Sequence, residues 1–404
     1  ISEKKKVNDF FISNKLEVNE NCKIFGSLEF GGLSNYWALQ IDSNIKQDLS
    51  HLSFKTKKDI QKEFKDLFLK NKFNYFSSGE KLKFLEIFQK DKNIAVDYPL
   101  LGFFNKKIKD LNFDNLNEQK DKIIPKNFYS NYLKNKKIFF HDFFVEKIRK
   151  KQNLIHIYCN NNKKKKIFKA KKIVLGCGTI ATSRLVADFL NLKKEIKIYH
   201  HPRLYSLYIS KNKWINNLSF QPSVMHLKQN KNQSLFTADF RPGNKVIIDA
   251  LVKLNWFLKP FKPILNFFRQ HLIFSNIFLN SKYSNLYMKK KNNSWYEVYS
   301  KNLNLGNVFK KTSKSIFDYL ISQKKILPFK VNRFPGFGVD FHYFGTIQIK
   351  KKSKLSVNEN CQLKNHKNIY IIDGSVFNFK KNKYPLGIIL ANAARIAKAV
   401  RKNV

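Results

Sequence analysis

Ile173-Val174-Leu175 runs into Gly176-Cys177-Gly178 and then into a segment with Leu185, Val186, Phe189 and Leu190 on one helical face. Gly176-x-Gly178-x-x-Ala181 therefore sits between a strand and a helix, at the spacing of a turn that lets the backbone approach a pyrophosphate at a helix N-terminus. In a dinucleotide-binding unit, an acidic residue about 20 positions further on holds the ribose. Here the following strand, Ile196 to Tyr199, leads to His200, His201 and Arg203 instead. An NAD(P)-binding Rossmann domain on this turn is thus the alternative reading, not the first. The nine histidines show no metal-ligand spacing, so no metal site is expected. Cys22, Cys159, Cys177 and Cys361 form no C-x-x-C pair and suit reduced thiols in the cytosol better than a disulfide framework.

Composition sets what can position such residues. At 404 residues, with 43% hydrophobic and 26% charged, the chain has enough apolar material for a large core and two or three domains, which excludes disordered, collagenous and coiled-coil classes. Lys plus Arg number 77 against 29 Asp plus Glu, a net charge of +48 that would suit a polyanionic partner. The excess is lysine. Arginine, which reads bases and phosphates through its planar fork, is scattered singly, so no specific nucleic acid is expected. Lysine, Asn, Ile and Phe rise together as A/T-rich codons would make them, and the charge implies salt-sensitive adhesion to anionic surfaces. No signal-peptide pattern opens the chain, and no run of about 18 uncharged apolar residues supports a spanning helix. The expected location is cytoplasmic, and the charge is compatible with a peripheral place at the inner face of a membrane.

Glycine numbers only 14, so its clusters at Gly26 to Gly32, Gly176 to Gly178, Gly336 to Gly345 and Gly374 with Gly387 carry information. Thr56 with Asp59 makes a capping box, and Ile60, Phe64, Leu67 and Phe68 predict a helix over roughly 56–72. Lys137 to Phe140, Phe144 to Arg149, Leu154 to Cys159 and Lys166 to Lys169 read as strands of a small meander. Leu204 to Ile209 and Leu218 to Leu227 alternate as an antiparallel sheet would, and Leu286 to Tyr299 reads as a hairpin turning at Asn292-Asn293. Residues 255–280 read as an aromatic helix pair closing over the core; as a basic amphipathic segment they could also lie on a membrane interface. Pro385 before the apolar run Leu386 to Ala399 predicts a buried terminal helix with proline at its first position.

Four landmarks in this order resemble those of the glucose-methanol-choline oxidoreductases. They are Gly31-Gly32-Leu33-Ser34-Asn35-Tyr36-Trp37, Lys172 to Ile180 with Arg184-Leu185, His342-Tyr343-Phe344-Gly345-Thr346, and Asn368 to Phe377 around Asp373-Gly374. The resemblance implies an α/β fold in which an FAD-binding Rossmann-like domain is interleaved with an antiparallel-sheet substrate domain. It gives the flavin domain residues 1–55, 125–195 and 335–404, a helical insertion or lid 56–124, and the substrate domain 196–334. It implies oxidation of an alcohol group on a polar, sugar-like substrate by hydride transfer to flavin N5, with oxygen, a quinone or a carrier protein as electron acceptor. Gly31, Gly32, Ser34 and Asn35 would lie against the flavin, and Val145 would give a backbone contact to the adenine. Gly176 and Gly178 would end the strand under the nucleotide, and Asp373, Gly374 and Pro385 would meet the cofactor beside the last helix. The helix N-terminus would favour the anionic edge of the reduced ring. His342 would be the general base, since imidazole titrates near neutrality. Trp37, Gln221, Tyr343 and Tyr384 would line the pocket.

Three departures qualify these expectations. Tyr384 stands where the family carries His or Asn before the proline; it either orients a substrate oxygen or marks a lost alcohol-oxidising geometry. Tyr36 replaces the flavin-linking histidine of related pyranose oxidases, so non-covalent FAD is expected. The family's opening strand, G-x-G-x-x-G and helix do not occur in the 30 residues before Gly31, so the flavin domain reads as N-terminally incomplete and weak in holding FAD alone.

Overall fold

The computed structural model describes residues 9–36, 40–42, 45–46, 48–69, 94–97, 100–101, 138–161, 164–211, 225–229, 236–243, 248–249, 252–253, 256–292, 294–379 and 384–402. In chain order, β1 (Leu16–Val18), β2 (Gln40–Ile41), β3 (Ile94–Asp97) and β4 (Leu100–Leu101) precede a meander of β5 (Phe144–Lys151), β6 (Leu154–Asn160) and β7 (Lys165–Ala170). Then come β8 (Ile173–Leu175), β9 (Ile196–Ile198), β10 (Arg203–Ser210), β11 (Met225–Gln229), β12 (Phe236–Pro242), β13 (Leu272–Leu279), β14 (Leu286–Lys290), β15 (Tyr296–Ser300), β16 (Ile326–Arg333), β17 (Gln362–Leu363) and β18 (His366–Ile371). The helices are α1 (Phe54–Phe64), α2 (Thr179–Phe189), α3 (Lys262–Phe267), α4 (Gly306–Ser322) and α5 (Leu386–Lys402).

Six strands in the order β16-β10-β13-β12-β11-β3 form the largest sheet, with antiparallel pairing throughout. Leu204, Tyr208, Phe236, Ala238, Phe240, Ile273 and Ile277 alternate onto one face, where Phe309, Ile316 and Leu320 of the amphipathic α4 complete one core. A second core joins the other elements. There β8 and β18 pair in parallel, Ile173 opposite Ile369 and Leu175 opposite Ile371, and α2, α5 and α1 pack around them. The outer edge of β8 carries no strand among the described residues.

Several expectations are corrected. Ser53, not Thr56, caps α1: its hydroxyl accepts from Thr56 N–H at 3.4 Å, while Glu359, distant in sequence, takes the Thr56 hydroxyl at 2.8 Å. Five residues of π-helix, Lys65–Leu69, follow α1. Residues 138–140 form no strand. Within the stretch read as a helical lid, β3 is an edge strand of the large sheet and α1 packs on α5. The hairpin forms as expected, but Leu286, Met288, Tyr296 and Val298, with Ile196 and Ile198 of β9 beside them, enter the second core and not the core of the large sheet. Residues 272–279 are a strand, and the aromatic side chains ahead of them are exposed rather than folded over the core. Pro385 lies just before α5, its carbonyl accepting from Ile389 N–H at 3.1 Å. No helix among the described residues is long and apolar enough to cross a membrane.

Candidate active site

Three chain segments meet where β8 and β18 end. The α2 hydroxyl of Thr179 donates to Tyr343 O at 2.6 Å, Gly345 N–H donates to Gly374 O at 3.1 Å, and Thr182 donates to Asp373 Oδ2 at 2.5 Å. Asp373 also accepts from the Ser375 amide and hydroxyl, so although burial raises its carboxyl, the oxygens are fully engaged inside the junction. Gly345 is required here: its φ is +70°, and a Cβ would stand 2.9 Å from the Tyr199 ring and 3.0 Å from Phe377 O. Gly178 differs. Its φ is +83°, nothing lies within 4 Å of where a Cβ would sit, and its backbone N–H donates to the Asp373 carboxylate at the start of α2.

From this junction the chain presents His342, half-buried and stacked on Phe278 of β13 at 5.4 Å between centroids. Its backbone N–H donates to Asp340 Oδ1 at 3.1 Å. The other Asp340 oxygen meets His200 Nδ1 at 2.8 Å, and the His201 ring stands 6.0 Å from that of His342. Three histidines thus surround one buried carboxylate. Burial alone would raise Asp340, but the charge and hydrogen bond of His200, with smaller effects of His342 and His201, hold it at about 2. Burial, reinforced by His342, depresses His201 to about 3, and its Nε2 meets Phe379 O at 2.9 Å. His200 and His201 carry no motif of their own in the sequence. The usable signal was Asp340, two residues before the chosen histidine.

The polar face of the large sheet receives these groups. Phe278 shares that face with Arg203, Tyr205, Thr237, Asp239, Arg241 and Asn276 by alternation and register. Tyr384 reaches it from the start of α5, its hydroxyl donating to Asp239 Oδ2 at 3.3 Å. Burial and the Asp239 charge push that phenol far up, so it is a donor. Asn276 donates to Asp239 Oδ1 at 2.7 Å, and Arg241 lies 3.1 Å from Oδ2. His342 and Tyr384, 42 residues apart in sequence, therefore stand over neighbouring strands of one sheet face.

The remaining expected residues divide. Gly31 and Gly32, both left-handed, open a 3-10 turn to Asn35; Ser34 donates to Gly31 O at 2.5 Å and Asn35 to Phe30 O at 2.7 Å. The strand of chain before that turn is tied to the site, since the Phe25 amide donates to the Tyr343 hydroxyl at 3.0 Å. Tyr343 itself is a buried strut, its hydroxyl donating to Gly338 O at 2.6 Å, and not an open pocket wall. The Val145 carbonyl is occupied by Arg184 at 3.3 Å. Trp37 and Gln221 lie outside the described residues. A separate apolar groove of about 440 Å³, lined by Leu204, Leu305, Phe309, Phe334 and Phe337, includes none of these histidines. No group of three metal-ligating side chains occurs among the described residues.

The NAD(P) reading fails on topology. A dinucleotide unit needs the strand after the helix parallel to and beside the first. Instead, β9 leaves β8 and pairs antiparallel with β14 in another sheet.

No protein-family model matches the chain, and no curated protein does. Among solved structures, it is similar to the crystal structure of pyridoxine 4-oxidase from Mesorbium loti, with a TM-score of 0.51 and 10% identity. The alignment covers 76% of this chain and 64% of that one, so the chain spans less than two thirds of that structure. The likeness is one of fold: mixed helix and sheet with several antiparallel sheets, as in an oxidase.

Proposed function

We propose that this chain carries the ring-side and substrate-side parts of an FAD-dependent oxidoreductase that oxidises an alcohol group on a polar, sugar-like substrate. The observation that carries the reading is the presentation of His342 and Tyr384 over one polar sheet face, beside the Asp373-Gly374 turn. The fold likeness to an oxidase and the four sequence landmarks support it. The residues fit the group: the clear space over Gly178 would take the nucleotide side, and the first turn of α5 the ring side. Bound flavin supplies a two-electron hydride acceptor.

The chain's own residues handle the proton and the orientation. His342, its ring held on Phe278, accepts the substrate hydroxyl proton at a ring nitrogen, and the buried Asp340 carboxylate faces the charge that this brings. His201, kept neutral by burial, does not compete for it. Asn276 offers an amide donor to a substrate oxygen and Tyr384, whose one hydrogen goes to Asp239, offers its hydroxyl oxygen as an acceptor, with Trp37 and Gln221 assigned to the same pocket from sequence. The α5 N-terminus favours negative charge on the neighbouring ring edge.

The test uses protein expressed from its full open reading frame. It is expected to purify yellow and to bleach anaerobically with one of a panel of polyols and sugars. His342→Ala should keep the flavin while slowing bleaching by about 10²–10⁴-fold. A colourless product, or bleaching unchanged in the variant, overturns the reading.

A further inference from the structure

Between the paired strands β12 and β13, the chain leaves the large sheet and makes a compact run of turns: a 3-10 turn Trp256–Leu258, α3, and a 3-10 turn Arg269–His271. The run is hydrogen-bonded, with Lys259 N–H to Trp256 O at 3.0 Å, Leu265 N–H to Phe261 O at 2.9 Å and His271 N–H to Phe268 O at 2.8 Å. Its base is fixed to the sheet. Gly243 N–H donates to Leu272 O at 2.7 Å, and His271 Nδ1 meets Ser210 O at 3.2 Å.

The anchored run turns its apolar side chains outward. Trp256 is 84% and Phe267 81% exposed, and Phe257, Phe261, Ile264 and Phe268 are exposed beside them. Six large apolar residues clustered within thirteen positions are unlike the scattered exposed hydrophobics of an ordinary surface. Lys253, Lys259 and Arg269 stand exposed among them, and no acidic residue occurs between Asp249 and Glu297. Lys262 is partly neutralised by Asp249 at 2.7 Å.

We infer that residues 256–268 form a membrane-docking surface for an anionic lipid interface. The chemistry is specific to that occupant. Trp and Phe insert at the headgroup boundary, while the surrounding Lys and Arg pair with acidic headgroups. A second copy of the chain would bring the same uncompensated basic patch against itself, at a net charge of +48 on each molecule. The surface lies at the sheet end where β12 turns into β13, on a rigid base, so docking needs no refolding of the sheet that holds the candidate site.

Flotation with phosphatidylcholine vesicles containing about 30% phosphatidylglycerol tests this, at low salt and near physiological ionic strength, beside pure phosphatidylcholine vesicles. The full-length protein should float with the anionic vesicles in both salts. The double variant Trp256→Ser with Phe267→Ser should lose at least about tenfold in partitioning, with an unchanged thermal midpoint, because two exposed aromatics are removed from the inserted face. Trp256→Phe should keep binding and lose the blue shift of tryptophan emission on vesicle addition. Binding that vanishes near physiological salt and ignores the double variant would leave lysine adhesion alone and overturn the inference. So would a concentration-dependent dimer that the double variant abolishes, or equal binding to neutral vesicles with no effect of substitution.

Discussion

Asp239 and Phe240 are consecutive, fully buried residues of β12 that face opposite sides of the same sheet. Phe240 belongs to the apolar core closed by α4, stacked near Tyr208 at 6.2 Å. Asp239 gathers Asn276, Arg241 and Tyr384 into one hydrogen-bonded group on the other side. The apolar side needs only volume and alternation, whereas the polar side must find a partner for every buried group or lose the cost of desolvating it. Stability and chemistry are therefore separable by face, although every strand contributes to both.

The largest expected effect tests that separation on the apolar side. Phe240→Ala removes a fully buried ring from a core that α4 cannot collapse to refill, and should cost about 3–5 kcal/mol in urea unfolding. Flavin bleaching per folded molecule should stay near wild type. A loss under about 1 kcal/mol would show that the α4 face is loosely packed and that the two sides do not divide the work.

The elements that fill the two apolar cores are the more legible in sequence. Leu204 to Ile209 alternates, the Leu286 to Tyr299 hairpin carries its own turn, and the terminal helix follows a proline, so local pattern finds all three. The run Leu272–Leu279 escaped because it continues an aromatic stretch with no clear period, and only its pairing with β10 and β12 makes it a strand. Thr56 and Asp59 satisfy a local capping rule, but the remote Glu359 accepts from the Ser53 amide and both hydroxyls and holds Ser53 where it caps α1. On the polar side, the His-x-x-Gly-Thr setting singles out His342 in the sequence. Its neighbours are not singled out, since Asp340 meets His200 across 140 residues and Tyr384 meets Asp239 across 145. Hydrogen bonds over such separations leave no spacing to read.

Proton coupling sharpens the comparison, because the titrating groups sit behind the polar side. His201, depressed from 6.5 to about 3 by burial, is neutral when folded and protonated when unfolded across that window. The unfolded chain then binds more protons, so its contribution to stability falls as pH drops from about 6.5, by about 1.4 kcal/mol per unit. Asp340, lowered from 3.8 to about 2, adds to the loss only as pH falls from about 4 toward 2, where its folded-state charge is finally neutralised. Urea midpoints should hold between pH 7.5 and about 6.5 and fall steadily from there to pH 4.5, and His201→Asn should flatten that slope by close to one proton. An unchanged slope in the variant would mean that the buried ring already takes up its proton in the folded state.

The smallest effect is the most discriminating, because it changes charge at almost constant shape one residue from Phe240. Asp239→Asn keeps the volume but leaves Arg241 without its counter-charge and offers Tyr384 an amide in place of a carboxylate, a stability cost of about 1–3 kcal/mol. The phenol that Asp239 fixes should then be free to turn, so substrate-dependent bleaching should weaken through KM with the flavin content of the purified protein unchanged. A double-mutant cycle with Tyr384→Phe isolates the pair: a coupling of about 0.5–1.5 kcal/mol supports Tyr384 as a group positioned by the sheet. Zero coupling would reduce Tyr384 to core packing and leave His342 alone on the polar face.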